Sequence, residues 1–299
     1  DVVGSSNSHY GADGISVRDV YTYGASAGVS GDGVFSGYAV DIIENKVDKS
    51  LDDGIEVVGA SSVLVDGNTV TNSGYNDGEF VSGDYIWGAD GIHVRNVWND
   101  YGDEKVAFAT VYDGEGSYTP YSVVVRNNTV DNSQDDGIQV AFSGDTLIGG
   151  DVPNEGEEGG FIGANTVTNS GTVGGARQFG GDGINVVTGY ESLYDLFYAG
   201  WYGYAPYPVS VQVLGNNVSN SLDDGIEVVG ATDVEVGFND VSNSGDDGIN
   251  VLGFAAYGEE EGEGSGSFAK KVVYYFGWPA FGANVHDNVV TTSGGDGIE

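Results

Sequence analysis

Apolar and polar residues alternate along this chain in short stretches that keep returning. Val234-Glu235-Val236 puts two valines on one side of an extended segment. Val40-Asp41-Ile42, Val63-Leu64-Val65, Val123-Val124-Val125 and Val211-Gln212-Val213 do the same. A second stretch is Asp-Gly-Ile-x-Val, as in Asp224-Gly225-Ile226-Glu227-Val228. A third is Asn-x-Val-x-x-Ser, starting at Asn45, Asn68, Asn128, Asn165, Asn216, Asn239 and Asn288. Between Asp224 and Asp247, 23 residues apart, all three follow in order. The pattern predicts a unit of three short strands with Val and Ile inward and polar residues outward.

Asp-Gly-Ile begins at Asp13, Asp53, Asp90, Asp136, Asp182, Asp224, Asp247 and Asp296, and a degenerate Asp-Gly-Val begins at Asp32. Successive starts lie 19, 21, 37, 46, 46, 42, 23 and 49 residues apart. No unit of this kind can bury its apolar face alone. Stacking buries it, each strand pairing with its counterpart roughly 4.8 Å away. The expectation is an all-β parallel β-helix of about nine rungs of roughly 21–23 residues, one domain over 1–299, with long insertion loops. The insertions fall at about 97–121, 142–161, 189–208 and 253–282, after the Asp-Gly-Ile strand and so along one edge. Two more, 74–89 and 171–181, precede the Asp. These repeats resemble the right-handed parallel β-helix family, the pectate-lyase-like fold of polysaccharide lyases, epimerases and large bacterial surface proteins. The resemblance covers nearly the whole chain and implies the scaffold more than an activity.

Composition agrees with a many-turned β fold: Gly is 52 of 299 residues and Pro only 5. Charge narrows the partners. Asp plus Glu is 46 against 9 Lys plus Arg, a net charge of −37, which repels nucleic acid and anionic lipid and attracts cations. With 0 Cys, disulfides and thiolate metal sites are excluded. No apolar run approaches the roughly 18 residues of a membrane helix, so no membrane insertion is expected. The chain has 0 Met and reads as a processed protein or a segment of a longer one. An extracellular or cell-surface location is expected.

The candidate chemistry sits in the repeats. Stacked carboxylates at ~4.8 Å repel by a few kcal/mol at an effective dielectric near 20, so the Asp column needs cations, hydrogen bonds or protons. One reading makes each Asp a turn cap before a glycine at positive φ. The other makes the doubled pairs Asp52/Asp53, Asp135/Asp136, Asp223/Asp224 and Asp246/Asp247 calcium ligands. Asp223 and Asp246 lie in adjacent units, whereas Ala89, Gly181 and Gly295 interrupt the first-Asp column. The Asn column reads as a structural amide ladder. The insertions are aromatic-rich, and Tyr198, Trp201, Tyr202, Tyr204, Tyr275 and Trp278 are candidates for a subunit interface or glycan contact. No catalytic set stands out. His93 and Arg95 share one strand face after Asp90 and are the candidate base and charge stabiliser. The Gly-His-Gly and Arg-x-Lys elements of the polygalacturonase-like members are missing.

Asp-Gly-Ile-Glu299 followed by Asp1-Val2-Val3-Gly4 nearly repeats the Asp53 unit, so units are expected to stack end to end. The expected function is an extracellular structural or adhesive rod, filament-forming and stabilised by calcium. The alternatives are a polysaccharide lyase or epimerase, or a non-catalytic rod that contacts glycan or the cell surface.

Overall fold

The computed structural model describes residues 13–20, 40–60, 62–76, 79–80, 89–97, 110–112, 118–150, 163–171, 181–188, 209–231, 233–252, 255–256, 276–277 and 282–299. Three parallel sheets of seven strands each form a solenoid. Sheet A comprises Ile15–Val20, Ile55–Ala60, Ile92–Val97, Ile138–Ala141, Ile184–Val187, Ile226–Val229 and Ile249–Leu252. Sheet B comprises Val40–Ile43, Val63–Asp66, Val123–Arg126, Thr146–Gly149, Ser210–Leu214, Asp233–Gly237 and Gly282–His286. Sheet C comprises Lys46–Asp48, Thr69–Ser73, Thr129–Ser133, Thr166–Ser170, Asn217–Ser219, Asp240–Ser244 and Val289–Ser293. The chain runs A, B, C within each rung, as the alternation predicts. Among the described residues there is no helix, and so none long and apolar enough to cross a membrane.

Identical positions stack on identical positions. Ile15, Ile55, Ile92, Ile138, Ile184, Ile226 and Ile249 pair in one column. Val47, Val70, Val130, Val167, Val218, Val241 and Val290 form another. Six of the isoleucines, from Ile55 on, are fully buried, each stabilising the fold by about 1.5–3 kcal/mol. The register follows from the period of two: a one-residue slip would send every one of these side chains outward. A column of asparagines holds the bend between sheets B and C. Asn128 Nδ2 donates to Asn165 Oδ1 (3.0 Å) and to Val65 O (2.9 Å), and the same link repeats from Asn45 to Asn288. A second asparagine column leaves sheet C. Asn72, Asn132, Asn169, Asn220 and Asn243 all adopt left-handed backbone near φ 60°, which Asn tolerates.

The stack has seven complete rungs rather than nine. Ile15 pairs directly with Ile55, so the Asp32 copy lies within the first rung's A-to-B connection, outside the described residues. Among the described residues of 13–53 there is one B strand, Val40–Ile43, and one C strand, Lys46–Asp48. Asp296-Gly297-Ile298 begins an eighth rung through one bridge from Ile298 to Ile249. The expected 142–161 insertion is also corrected. Thr146–Gly149 is a sheet B strand whose Leu147 and Ile148 are buried, so this insertion leaves from the B-to-C corner after Gly150. The other long A-to-B connections leave rungs 1, 3, 5 and 7 and skip rungs 2, 4 and 6. Two of these connections contain an antiparallel pair, Thr110–Tyr112 with Tyr118–Pro120 and Ala255–Ala256 with Phe276–Gly277.

Candidate functional site

The repeated Asp and the residue three places on meet on the outer face of sheet A. The strand alternation buries Ile and turns the next side chain out. Ser16, Glu56, His93, Gln139, Asn185, Glu227 and Asn250 therefore stand in register. Each Asp is held between rungs, not within its own turn. Asp53 Oδ1 accepts the N–H of Asp90 (2.9 Å), Asp90 that of Asp136 (3.0 Å), Asp136 that of Asp182 (2.9 Å), Asp182 that of Asp224 (2.9 Å) and Asp224 that of Asp247 (2.8 Å). The carbonyl of each upper Asp accepts from the lower Gly, as in Gly54 N–H to Asp90 O at 2.9 Å. The turn cap expected from the sequence is thus a rung-to-rung clamp. Its glycine is not at positive φ. It is needed because a Cβ on Gly137 would lie 2.2 Å from Val167 Cγ1 and 2.6 Å from Gly183 O.

The second carboxylate oxygen distinguishes the rungs. Gln139 Nε2 donates to Asp136 Oδ2 (2.8 Å), Asn185 Nδ2 to Asp182 Oδ2 (3.0 Å) and Asn250 Nδ2 to Asp224 Oδ2 (3.0 Å). In rungs 1 to 3 the face carries cations. Arg18 binds the buried Glu56, which also accepts from Ser16 Oγ (2.9 Å) and lies 3.7 Å from Arg95 Nη2. His93 Nδ1 stands 3.2 Å from Asp53 Oδ2 and 3.5 Å from Asp90 Oδ2. His93 and Arg95 therefore share one face, as expected, within a group of carboxylates suited to holding a proton or a cation. From rung 4 onward the face is acidic. Among the described residues no ion pair involves Asp136, Asp182, Asp224, Glu227 or Asp247.

Of the predicted calcium pairs, Asp223, Asp224 and Asp246 bring carboxylate oxygens within 4.8 Å of one another. Asp53 instead joins Asp90 and His93 at that distance. Asp52, Asp135, Asp136 and Asp247 belong to no such three-residue group among the described residues. Tyr198, Trp201, Tyr202, Tyr204, Tyr275 and Trp278 lie outside the described residues, as does the Asp1–Gly4 stretch. Sequence reading overlooked Glu56 and Glu227. Aligning the residue after Ile across the copies is the signal that finds them.

Burial and like charge shift these carboxyls together. Burial, then Glu56 and Asp53, pushes Asp13 up to about 6. Burial, then Asp53, Asp13 and Glu56, pushes Asp52 up to about 7. Glu227 rises to about 7 through burial and then Asp224, Asp136 and Asp223. Each folded value lies above its unfolded one, so folding takes up protons between about pH 4 and 7. That stability is complete below the unfolded value and is lost as pH rises through 6 to 7. Chelator-treated protein is expected to melt roughly 5 °C higher at pH 5 than at pH 8 in calorimetric scans. A melting point that climbs over this range would contradict the assignment.

Compared with protein-family models, with curated proteins and with solved structures, the chain matches none.

Proposed function

We propose that this chain is a structural rod of an extracellular or surface-displayed assembly, with calcium balancing the carboxylates of sheet A. The observation that carries the reading is the unbroken, strand-for-strand stack bearing a column of aspartates that has no ion-pair partner from rung 4 onward among the described residues. A net charge of −37 needs mobile cations to hold the rod compact. Asp223, Asp224 and Asp246 supply the oxygen-rich, flexible donor set that suits calcium.

The test combines melting with electron microscopy, with calcium and with chelator. A site filled at a hundred times its Kd adds about 2.7 kcal/mol. Calcium at millimolar concentration is therefore expected to raise the melting temperature by roughly 5–10 °C. Asp223→Asn combined with Asp246→Asn should remove most of that gain. Rods on the grid that disperse in chelator support the reading. Unchanged melting together with single, unassociated particles would overturn it.

A further inference from the structure

We propose that Asp53, Asp90 and His93 bind one divalent transition-metal ion of the zinc class, with water completing its coordination. The three ligand atoms converge at the junction of rungs 2 and 3, within 4.8 Å of one another. His93 Nδ1 lies 3.2 Å from Asp53 Oδ2 and 3.5 Å from Asp90 Oδ2. Bonds of about 2.1 Å to nitrogen and oxygen set ligand-to-ligand edges of about 3.0 Å in an octahedron and about 3.4 Å in a tetrahedron. The two separations from His93 Nδ1 lie close to those edges, and the two carboxylate oxygens stand within 4.8 Å of each other.

Hydrogen bonding alone leaves this site incomplete. Asp90 is fully buried, and among the described residues its Oδ2 accepts no hydrogen bond. At the equivalent place in rungs 4 and 5, Gln139 and Asn185 each donate to the Asp Oδ2 of their own rung. His93 has one Nδ1 facing two carboxylate oxygens, and a single N–H cannot satisfy both. A dication satisfies all three atoms together. It also relieves the repulsion between the Asp53 and Asp90 carboxylates. The imidazole separates this site from a calcium site. Calcium takes oxygen donors, whereas one nitrogen and two carboxylates suit zinc, cobalt or nickel. Three protein donors leave at least one position for water. The site lies in rungs 2 and 3, away from Asp223, Asp224 and Asp246, and does not depend on the calcium reading.

The test is titration of the metal-stripped protein with zinc chloride by calorimetry, and with cobalt(II) by visible absorption. Wild type is expected to bind one ion tightly and to develop the d–d bands of an imidazole-bound cobalt. His93→Asn should fold, because Asn185 and Asn250 occupy the same column, and His93→Gln, patterned on Gln139, is the second variant. Both should weaken zinc by at least about tenfold, the cost of losing even an outer partner of a metal site. Both should abolish the cobalt bands. His286→Asn should change neither. Zinc binding that is absent in wild type, or equal in wild type and both His93 variants, overturns the proposal. The calcium-dependent melting shift, measured on the same samples, reports separately on the acidic rungs.

Discussion

Gly137→Ala is expected to destabilise the rod by about 3–5 kcal/mol, the upper range for a single substitution in a packed interior. The new Cβ would meet Val167 Cγ1 at 2.2 Å, Gly183 O at 2.6 Å and Ser170 Oγ at 2.7 Å. Val167 is fully buried in its column and cannot swing clear. Gly183 O belongs to the next rung's backbone, and it accepts the N–H of Ile138 at 3.1 Å. Relief therefore means parting two rungs and breaking sheet A at mid-stack. The control lies within the same motif: a Cβ on Gly297 meets nothing within 4 Å, so Gly297→Ala should cost under about 0.5 kcal/mol. Denaturant melts of the two variants check the contrast. Equal costs would mean that glycine serves this turn through chain flexibility and not through close approach.

Asn128→Ala is expected to cost a further independent amount of about 3–5 kcal/mol. Its Oδ1 accepts from Asn68 N (2.9 Å) and Asn68 Nδ2 (3.0 Å), and its Nδ2 donates to Asn165 Oδ1 (3.0 Å) and Val65 O (2.9 Å). Alanine leaves the buried Asn68 N–H and Val65 carbonyl without these partners. Each such orphan costs about 1–3 kcal/mol. Water cannot replace the lost groups cheaply, because Asn68, Asn128 and Asn165 are all at most 1% exposed. Asn45, in the first rung and partly exposed, should lose only about 1 kcal/mol on the same change. Hydrogen exchange at the Asn68 amide should rise in Asn128→Ala and stay slow in Asn45→Ala. An exchange rate that does not respond would show that the ladder is not the source of the stability.

Both predictions rest on motifs visible in the chain, yet their physics was only half readable there. The Asp-Gly-Ile glycine announces a backbone constraint, and positive φ was the local explanation. The structure replaces it with a steric one, because the crowding atoms, Val167 and Gly183, lie 30 and 46 residues further on. The aspartate before it looked like a cap on its own turn, and its acceptor role proves to be directed at the next rung. Leu147 and Ile148 lie in Thr146-Leu147-Ile148-Gly149, which lacks the Val-x-Val or Val-x-Ile pattern of most sheet B strands and so reads as insertion. Their pairing with Val124 and Val125 identifies them.

The rung itself is a local object, and the chain writes it out plainly. Period-two alternation, asparagines at the bends and glycine after aspartate specify three short strands that must stack to bury Val and Ile. Which copies stack is a different matter. Asp32 carries the Asp-Gly signature in the sequence, and only the pairing of Ile15 with Ile55 shows that the stack passes that copy by. The meeting of His93 with Asp53, 40 residues away, and of Asp223 with Asp246 likewise follows from inter-rung register. Connections of very different length separate neighbouring rungs, so distance along the chain carries no measure of distance across the sheet. The tertiary structure decides those encounters because strand pairing brings each rung to about 4.8 Å from the next whatever the chain does in between.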